Sequence, residues 1–184
     1  MAVLGIGVLL VAATHLIDPN FARTVVLVCG RGEDGAFGLV LNRPTDIAVG
    51  DHLPGWVEQL ARPELVFVGG PVQPETAIGL ARLRGLRRPA GWEAVSVSVG
   101  LMDLSASPGD VAGDLVELRV FGGYAGWGEG QLESEIASGD WHVVPMEEGD
   151  PFTAEPDRLW RSVLRRQGGA LAWYADCPPN PSFN

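Results

Sequence analysis

Short apolar runs separated by turn residues are the sequence feature that most constrains the fold of this chain. Turn residues such as Asp18–Asn20 and Gly69–Pro71 divide the runs from one another. Each run is too short for a membrane helix, which needs roughly 20 apolar residues, and predicts a buried strand instead. The four continuous runs are Val3–Ala12, Thr24–Cys29, Phe37–Leu41 and Leu65–Val68.

The first run is also similar to the middle of a signal peptide. No basic residue precedes it, although a basic segment is the usual partner of such a stretch. We therefore expect a buried first strand here and a cytoplasmic protein.

Two further segments have apolar residues at alternate positions. In Val95–Val99 and in Val116–Val120, valine or leucine occupies every second position, a spacing typical of half-buried strands. In the second segment the alternation places Glu117 and Arg119 on the outward face.

Helical signals are fewer and come late in the chain. His52–Ala61 and Gly130–Ser138 are candidate short helices, and Pro156–Gln167 has the strongest signals. The Pro156–Gln167 segment begins with proline and is followed by Gly168, which is a typical stop signal. It carries one apolar stripe, formed by Leu159, Trp160, Val163 and Leu164. The excess of strands predicts a single α+β domain over residues 1–184 with a mostly antiparallel or mixed sheet.

Charge disfavours nucleic acid and membranes as partners. The 13 basic residues are all arginine, and 23 acidic residues give a net charge of −10, which repels polyanions at long range. Direct nucleic-acid binding would need a local basic patch. The alternative is two solvated faces neutralised by nearby acidic residues. Two arginine clusters are candidates, namely Arg82, Arg84, Arg87 and Arg88, and Arg158, Arg161 and Arg165.

No set of residues with a catalytic or metal-binding pattern is found. Cys29 lies within an apolar run and Cys177 in a proline-rich segment, which suggests free thiols in a reducing compartment. His15, His52 and His142 are isolated, and there is no nucleophile elbow. The sequence therefore predicts no catalytic residue, no metal and no cofactor, and it favours a non-enzymatic protein.

Phe121–Glu135 is the most unusual segment of the chain. Here a predicted strand ends in a glycine-rich loop that opens a helix at Gly130 or Gln131, so main-chain N–H groups could face an anion. The glycine spacing matches neither the dinucleotide fingerprint nor the P-loop. The alternative is a tight corner in which Tyr124 and Trp127 pack on the sheet.

Arg43 follows a predicted strand directly, between Asn42 and Pro44. An arginine at a strand end can bind a carboxylate or phosphate through its planar guanidinium. Alternatively, it ties loops together through an internal carboxylate such as Asp18 or Asp103. The same two interpretations apply to Arg23.

Seven stretches in this order resemble the YqgE/AlgH family of bacterial proteins over nearly the whole chain. The resemblance implies an irregular α+β fold with a bifurcated, partly barrel-like sheet surrounded by helices. It implies no established enzyme activity; some members carry a transcriptional-regulator label, but no helix-turn-helix pattern occurs here. The stretches are Asp18–Val28, Gly35–Thr45, Val68–Val72, Val99–Leu104, Arg119–Ile136, Gly139–Pro145 and Leu159–Gly169.

The first functional hypothesis is therefore a regulatory or binding protein of unknown molecular activity, whose partner is a protein or a small anion. We expect the glycine-rich segment and Asn42–Arg43 to frame its interaction surface, with the aromatic rings facing outward. The alternatives are an anion- or nucleotide-binding protein or enzyme at residues 126–131, and direct nucleic-acid binding through the arginine clusters. The candidate binding residues are Asn42, Arg43, Tyr124, Trp127, Gly128, Gly130 and Gln131.

Overall fold

Ten β-strands form the framework of the protein. The computed structural model describes residues 3–178. The strands are β1 (Val8–Ala12), β2 (Val25–Gly32), β3 (Gly35–Val40), β4 (Pro44–Ala48), β5 (Leu65–Val68), β6 (Val72–Leu83), β7 (Trp92–Ala94), β8 (Val99–Met102), β9 (Leu115–Gly128) and β10 (Trp141–Pro145).

Four short α-helices and four 3-10 turns connect the strands. The third helix has the bounds that its sequence signals predict, and its apolar stripe is buried as expected. The predicted helix at His52–Ala61 is instead a 3-10 turn over Pro54–Gln59. The helices are α1 (Pro108–Val111), α2 (Gln131–Ala137), α3 (Pro156–Gln167) and α4 (Gly169–Tyr174). The remaining 3-10 turns are Val49–Asp51, Ala112–Asp114 and Asp150–Phe152.

All ten strands belong to one curled sheet with the order β10-β1-β2-β3-β9-β6-β8-β7, while β4 and β5 branch from β9. β5 pairs with β9 in parallel, and the other neighbours are antiparallel. The expected α+β class and mixed, bifurcated sheet are therefore confirmed.

β9 holds the two halves of the sheet together. Its first part pairs with β6, its middle pairs with β5, and its end pairs with β3. Phe121 and Tyr124 both face the central core although three positions separate them, whereas a regular strand places residues two apart on one face. The strand therefore contains a bulge at Gly122–Gly123 that exchanges its two faces.

Two pairs of consecutive glycines, Gly69–Gly70 and Gly122–Gly123, cross at this bulge. Gly123 has φ +69°, and a Cβ there would lie 2.7 Å from the carbonyl oxygen of Gly70 and 2.8 Å from that of Val72. A Cβ at Gly69 would in turn collide with the Gly123 carbonyl. Only glycine permits this approach, which brings the β5–β6 connection against β9.

The inner face of the curled sheet carries one continuous core, whereas the outer face carries two separate clusters. The inner core joins both halves of the sheet and is closed by α3, through residues such as Trp160 and Val163. One outer cluster lies under α2 and includes Trp127 and Trp141. The other lies under the Pro54–Gln59 turn and includes Trp56. Between them a strip of the outer face is left uncovered.

The prediction that Arg119 points outward is wrong. Its side chain is 1% exposed, because β9 is central and buried on both faces. The guanidinium lies 4.2 Å above the ring of Phe67 and donates hydrogen bonds to the carbonyls of Pro151, Thr153 and Arg62. Burial lowers the pKa of Arg119 to about 10, so the group is charged at neutral pH. Arg119 thus ties two loops to the centre of the sheet.

Other sequence predictions also change in the structure. Val95–Ser98 is a turn between β7 and β8 rather than part of a strand, and Val97 is exposed. The first strand begins at Val8, after a turn at Gly7, rather than at Val3. No helix within residues 3–178 has the length and apolar character needed to cross a membrane.

Gly123→Ala tests the glycine crossing. We expect a loss of about 2–5 kcal/mol in the free energy of unfolding, because alanine would adopt a left-handed conformation and meet two carbonyl oxygens. Urea unfolding measures this loss. Gly126→Ala in the same strand is the control, since a Cβ there makes ordinary contacts of 3.6 and 3.7 Å, and its effect stays below about 1 kcal/mol. Equal effects of the two substitutions would contradict the crossing.

Candidate functional site

The predicted glycine-rich loop is mostly strand. β9 continues to Gly128 and pairs there with β3, so that only Glu129 and Gly130 form the turn before α2. The main-chain groups expected to face a ligand are largely used in this pairing. A Cβ at Gly35 would collide with the carbonyl of Trp127, so close strand contact also explains part of the glycine content.

Trp127 is buried rather than outward-facing. Only 5% of it is exposed, and its ring packs against Phe21 and Trp141 at centroid distances of 6.3 and 6.1 Å. The indole Nε1 atoms of Trp127 and Trp141 both donate to Oε2 of Glu135, each at 2.9 Å. The carboxylate of Glu135 therefore fixes α2 to the sheet.

The remaining candidates of this segment do not form one surface. Tyr124 points to the inner face, where its ring meets Phe37 edge-to-face at 6.1 Å. The N–H of Gly128 donates to Oε1 of Gln131 at 3.0 Å, and Gln131 in turn donates to Glu135. Gly130, with φ +68°, begins α2. The Gly128 N–H thus already has a partner within the protein.

Asn42 shapes the loop that precedes β2. Its amide oxygen accepts from the N–H of Val25 at 3.0 Å, and its amide nitrogen donates to the carbonyl of Arg23 at 2.9 Å. Arg23 has φ +56°, which is rare for a non-glycine residue, and Asn42 holds it in that conformation. Asn42 is therefore a structural residue of the Asp18–Arg23 loop.

Arg43 lies half-buried in a cleft of about 180 Å³ on the uncovered strip of the outer face. Its Nη2 donates to the carbonyl of Ala22 at 2.6 Å, so it ties the loop through a carbonyl and not through Asp18 or Asp103. Among residues 3–178 no carboxylate lies within ion-pair distance of Arg43. The other residues that line the cleft are Pro19, Asn20, Val40, Val68, Gly70 and Pro71.

Most of the other candidate arginines have partners within the protein. Arg23 donates to the carbonyls of Cys177 and Pro178 and lies 4.6 Å above the ring of Trp160. Four arginines of the two clusters form ion pairs, which neutralises part of each basic face. The pairs are Arg82–Glu117, Arg87–Asp114, Arg158–Glu155 and Arg165–Asp176.

The structure does not bring the histidines and cysteines into one cluster. In the described part of the chain, no group of three or more His, Cys, Asp or Glu residues could hold a metal ion. His15 contacts Asp140, and His142 stacks on Tyr174. Both cysteines are free, and burial raises the pKa of the Cys29 thiol to about 12.

Known proteins share this architecture. The profile of the AlgH-like family, DUF179, matches residues 9–172. The chain belongs to the AlgH-like family. It is 50% identical to UPF0301 protein SCO2948 of Streptomyces coelicolor over 182 residues, which cover 97% of this chain and 94% of that relative. A UPF0301 protein of Thermobifida fusca is 43% identical over 187 residues, which cover 97% of this chain and 94% of that relative.

Two solved structures resemble the AlgH-like fold seen here. The crystal structure of protein DIP2367 from Corynebacterium diphtheriae has a TM-score of 0.87 and 31% identity, covering 93% of this chain and 91% of that one. The solution structure of AlgH from Pseudomonas aeruginosa has a TM-score of 0.69 and 24% identity, covering 94% and 93%, and supports the fold alone.

Three of the stretches that resemble the AlgH-like family meet at the Arg43 cleft. Asp18–Val28 supplies Pro19 and Asn20, Gly35–Thr45 supplies Val40 and Arg43, and Val68–Val72 supplies Val68, Gly70 and Pro71. Val68 and Gly70 were absent from the sequence-derived candidates. Val68 ends β5, and its N–H donates to the carbonyl of Arg43 at 2.8 Å. The pairing of β5 with β4 and β9, which local sequence does not reveal, thus brings Val68 and Gly70 to this cleft.

Glu135→Ala tests the role of this carboxylate in fixing α2. The substitution leaves two buried indole N–H groups without an acceptor, so we expect a loss of about 2–4 kcal/mol in unfolding free energy. Glu133→Ala is the matched control on the same helix, because its ion pair with Arg31 is exposed to solvent and contributes little to stability. Chemical denaturation followed by tryptophan fluorescence measures the unfolding free energy of both variants. An unchanged unfolding free energy in Glu135→Ala would disprove the role of Glu135 in fixing α2.

The two thiols are expected to differ in reactivity. In a Cys177→Ser variant, Cys29 stays unmodified by a thiol reagent at pH 8, because its buried sulfur is protonated well above that pH. One thiol then reacts after denaturation. Rapid labelling of the native variant, counted by mass spectrometry, would contradict this expectation.

Proposed function

We propose that this AlgH-like protein is a non-enzymatic binding protein that acts in regulation by recognising a small organic anion in the Arg43 cleft. The observation that carries the proposal is the half-buried Arg43 guanidinium, which lines the cleft and pairs with no carboxylate of residues 3–178. A half-buried cation without a counter-ion attracts anions, and an anionic ligand supplies the opposite charge.

The walls of the cleft indicate the ligand class. Beside the guanidinium they consist mainly of apolar groups, among them Val40, Val68 and Pro71. A planar guanidinium binds a carboxylate through two parallel hydrogen bonds, and apolar walls favour a hydrocarbon body next to it. We therefore favour a carboxylate with a short apolar body over inorganic phosphate.

The Arg43 cleft by itself is too small to enclose a nucleotide. Its volume of about 180 Å³ is below the ~300–1,000 Å³ of pockets that enclose drug-sized ligands. The ion pairs of the arginine clusters likewise give little support to nucleic-acid binding. The two free cysteines support a cytoplasmic location for this activity.

The test is a chemical-shift titration of the labelled protein with butanoate and, separately, with inorganic phosphate. We expect butanoate to shift the amides of Asn20, Val68 and Gly70. Arg43→Gln should weaken binding by about 10- to 100-fold, because a hydrogen bond to a charged group contributes roughly 1.5–3 kcal/mol.

Arg31→Gln is the control, since Arg31 is an exposed arginine paired with Glu133. It should leave butanoate affinity unchanged. Shifts that survive in Arg43→Gln, or the absence of shifts in the wild-type protein, would reject the proposed site. A preference for phosphate would reject the carboxylate class.

A further inference from the structure

A second cleft, of about 330 Å³, lies on the same outer face of the sheet. It forms where β6 leaves β9, since Val72 pairs with Tyr124 but the next pair joins Ala77 to Gly122. The intervening Pro74–Thr76 segment bends away and becomes one wall, and the His52–Leu53 turn forms the other. Its floor is apolar and includes Ile47, Val66 and Val120.

The two clefts have no lining residue in common, but they are neighbours along β5. Val68 lines the Arg43 cleft and Val66 lines the second, and residues two apart on a strand project from one face about 7 Å from each other. After β5 the chain lines the first cleft with Gly70 and Pro71 and then the second with Pro74–Ala77. Together they form one groove that follows β5, the bifurcation groove.

The bifurcation groove has a cation at one end only. Arg43 lies at the first end, whereas the charged residue lining the second end is Glu75, beside His52. Between the ends, Ile47 and Val68 are 46% and 43% exposed, although neighbouring apolar residues of the outer face are covered. An acidic ligand group is therefore attracted to Arg43 and repelled from the far end.

We propose, on the basis of the proposed function, that the ligand is an unbranched aliphatic carboxylate. Its carboxylate binds Arg43, and its hydrocarbon tail follows Val68 and Val66 into the second cleft. This assignment matches the order of charge and apolar surface along the groove, and it gives the exposed Ile47 and Val68 a partner.

The floor of the groove is less suited to a peptide. β5 already pairs with β4 on one side and with β9 on the other, so its main chain has no free edge for an added strand. A bound peptide would carry polar main-chain groups over an apolar floor, whereas a hydrocarbon tail carries none.

The test measures affinity for a series of carboxylates from butanoate to decanoate, each below its micelle concentration, by calorimetry with the full chain. Each added methylene should strengthen binding by about two- to fourfold until the groove is filled. Alkanols of equal length should bind at least tenfold more weakly, because they lack the charge that Arg43 recognises.

Two variants distinguish the contribution of the ligand's carboxylate from that of its hydrocarbon tail. Arg43→Gln should weaken every carboxylate by the same factor, whereas Ile47→Thr should reduce the gain per methylene and leave butanoate affinity unchanged. Val57→Thr is the control, because this valine is also exposed but lines neither cleft.

The outcomes distinguish the two proposals. Butanoate binding that depends on Arg43 but does not improve with chain length would overturn the aliphatic tail and leave the proposed function intact. Failure of all carboxylates to bind would overturn both. Tighter binding of short peptides with an apolar C-terminal residue than of decanoate would replace the aliphatic ligand by a peptide.

Discussion

The close crossing of two main-chain segments, Gly69–Gly70 and Gly122–Gly123, is the constraint on which the rest of the structure depends. No side chain separates these segments, so a single bulge in β9 can reverse which of its side chains face the inner core. β9 therefore pairs with strands of both halves of the sheet. The inner face then stays continuous, and one core spans the whole molecule. The outer face is divided into two apolar clusters, and each cluster is shielded from solvent by a separate element.

This division explains why the candidate site lies between the two outer clusters and not at the glycine-rich turn. The two covers are α2 on one side and the Pro54–Gln59 turn on the other, and they leave Ile47 of β4 and Val68 of β5 exposed. Behind this strip, Phe67 and Arg119 fill the inner face, and the guanidinium holds the adjoining loops through three carbonyls. The groove thus has a rigid floor, which favours a preformed binding surface over one that orders on binding.

Local signals allowed some elements to be predicted and not others. Proline at the start, glycine at the end and one apolar stripe were enough to define α3, because these signals lie within the helix itself. The first half of β6 contains proline and glutamate and has no strand pattern, and only Val72 and Ala77 at its two ends pair with β9. Arg43 was a candidate from its position after a strand, but its neighbours Val68 and Gly70 come from a distant segment. The burial of Trp127 likewise depends on Phe21 and Trp141, which sequence proximity does not reveal.

The overall charge of the protein also bears on which anions can use this groove. With a net charge of −10, the surface repels anions at distances beyond the Debye length of about 8–10 Å only weakly, but the repulsion grows as a ligand approaches. The guanidinium of Arg43 must overcome this repulsion, and a small hydrophilic anion gains little further binding free energy from the site. A ligand with a hydrocarbon tail gains free energy from Val66, Val68 and Ile47 that the charge of the surface does not reduce. Under the proposed function, an acidic surface with Arg43 at the end of an apolar groove favours amphipathic anions over hydrophilic ones, because only the amphipathic anions gain the apolar contacts.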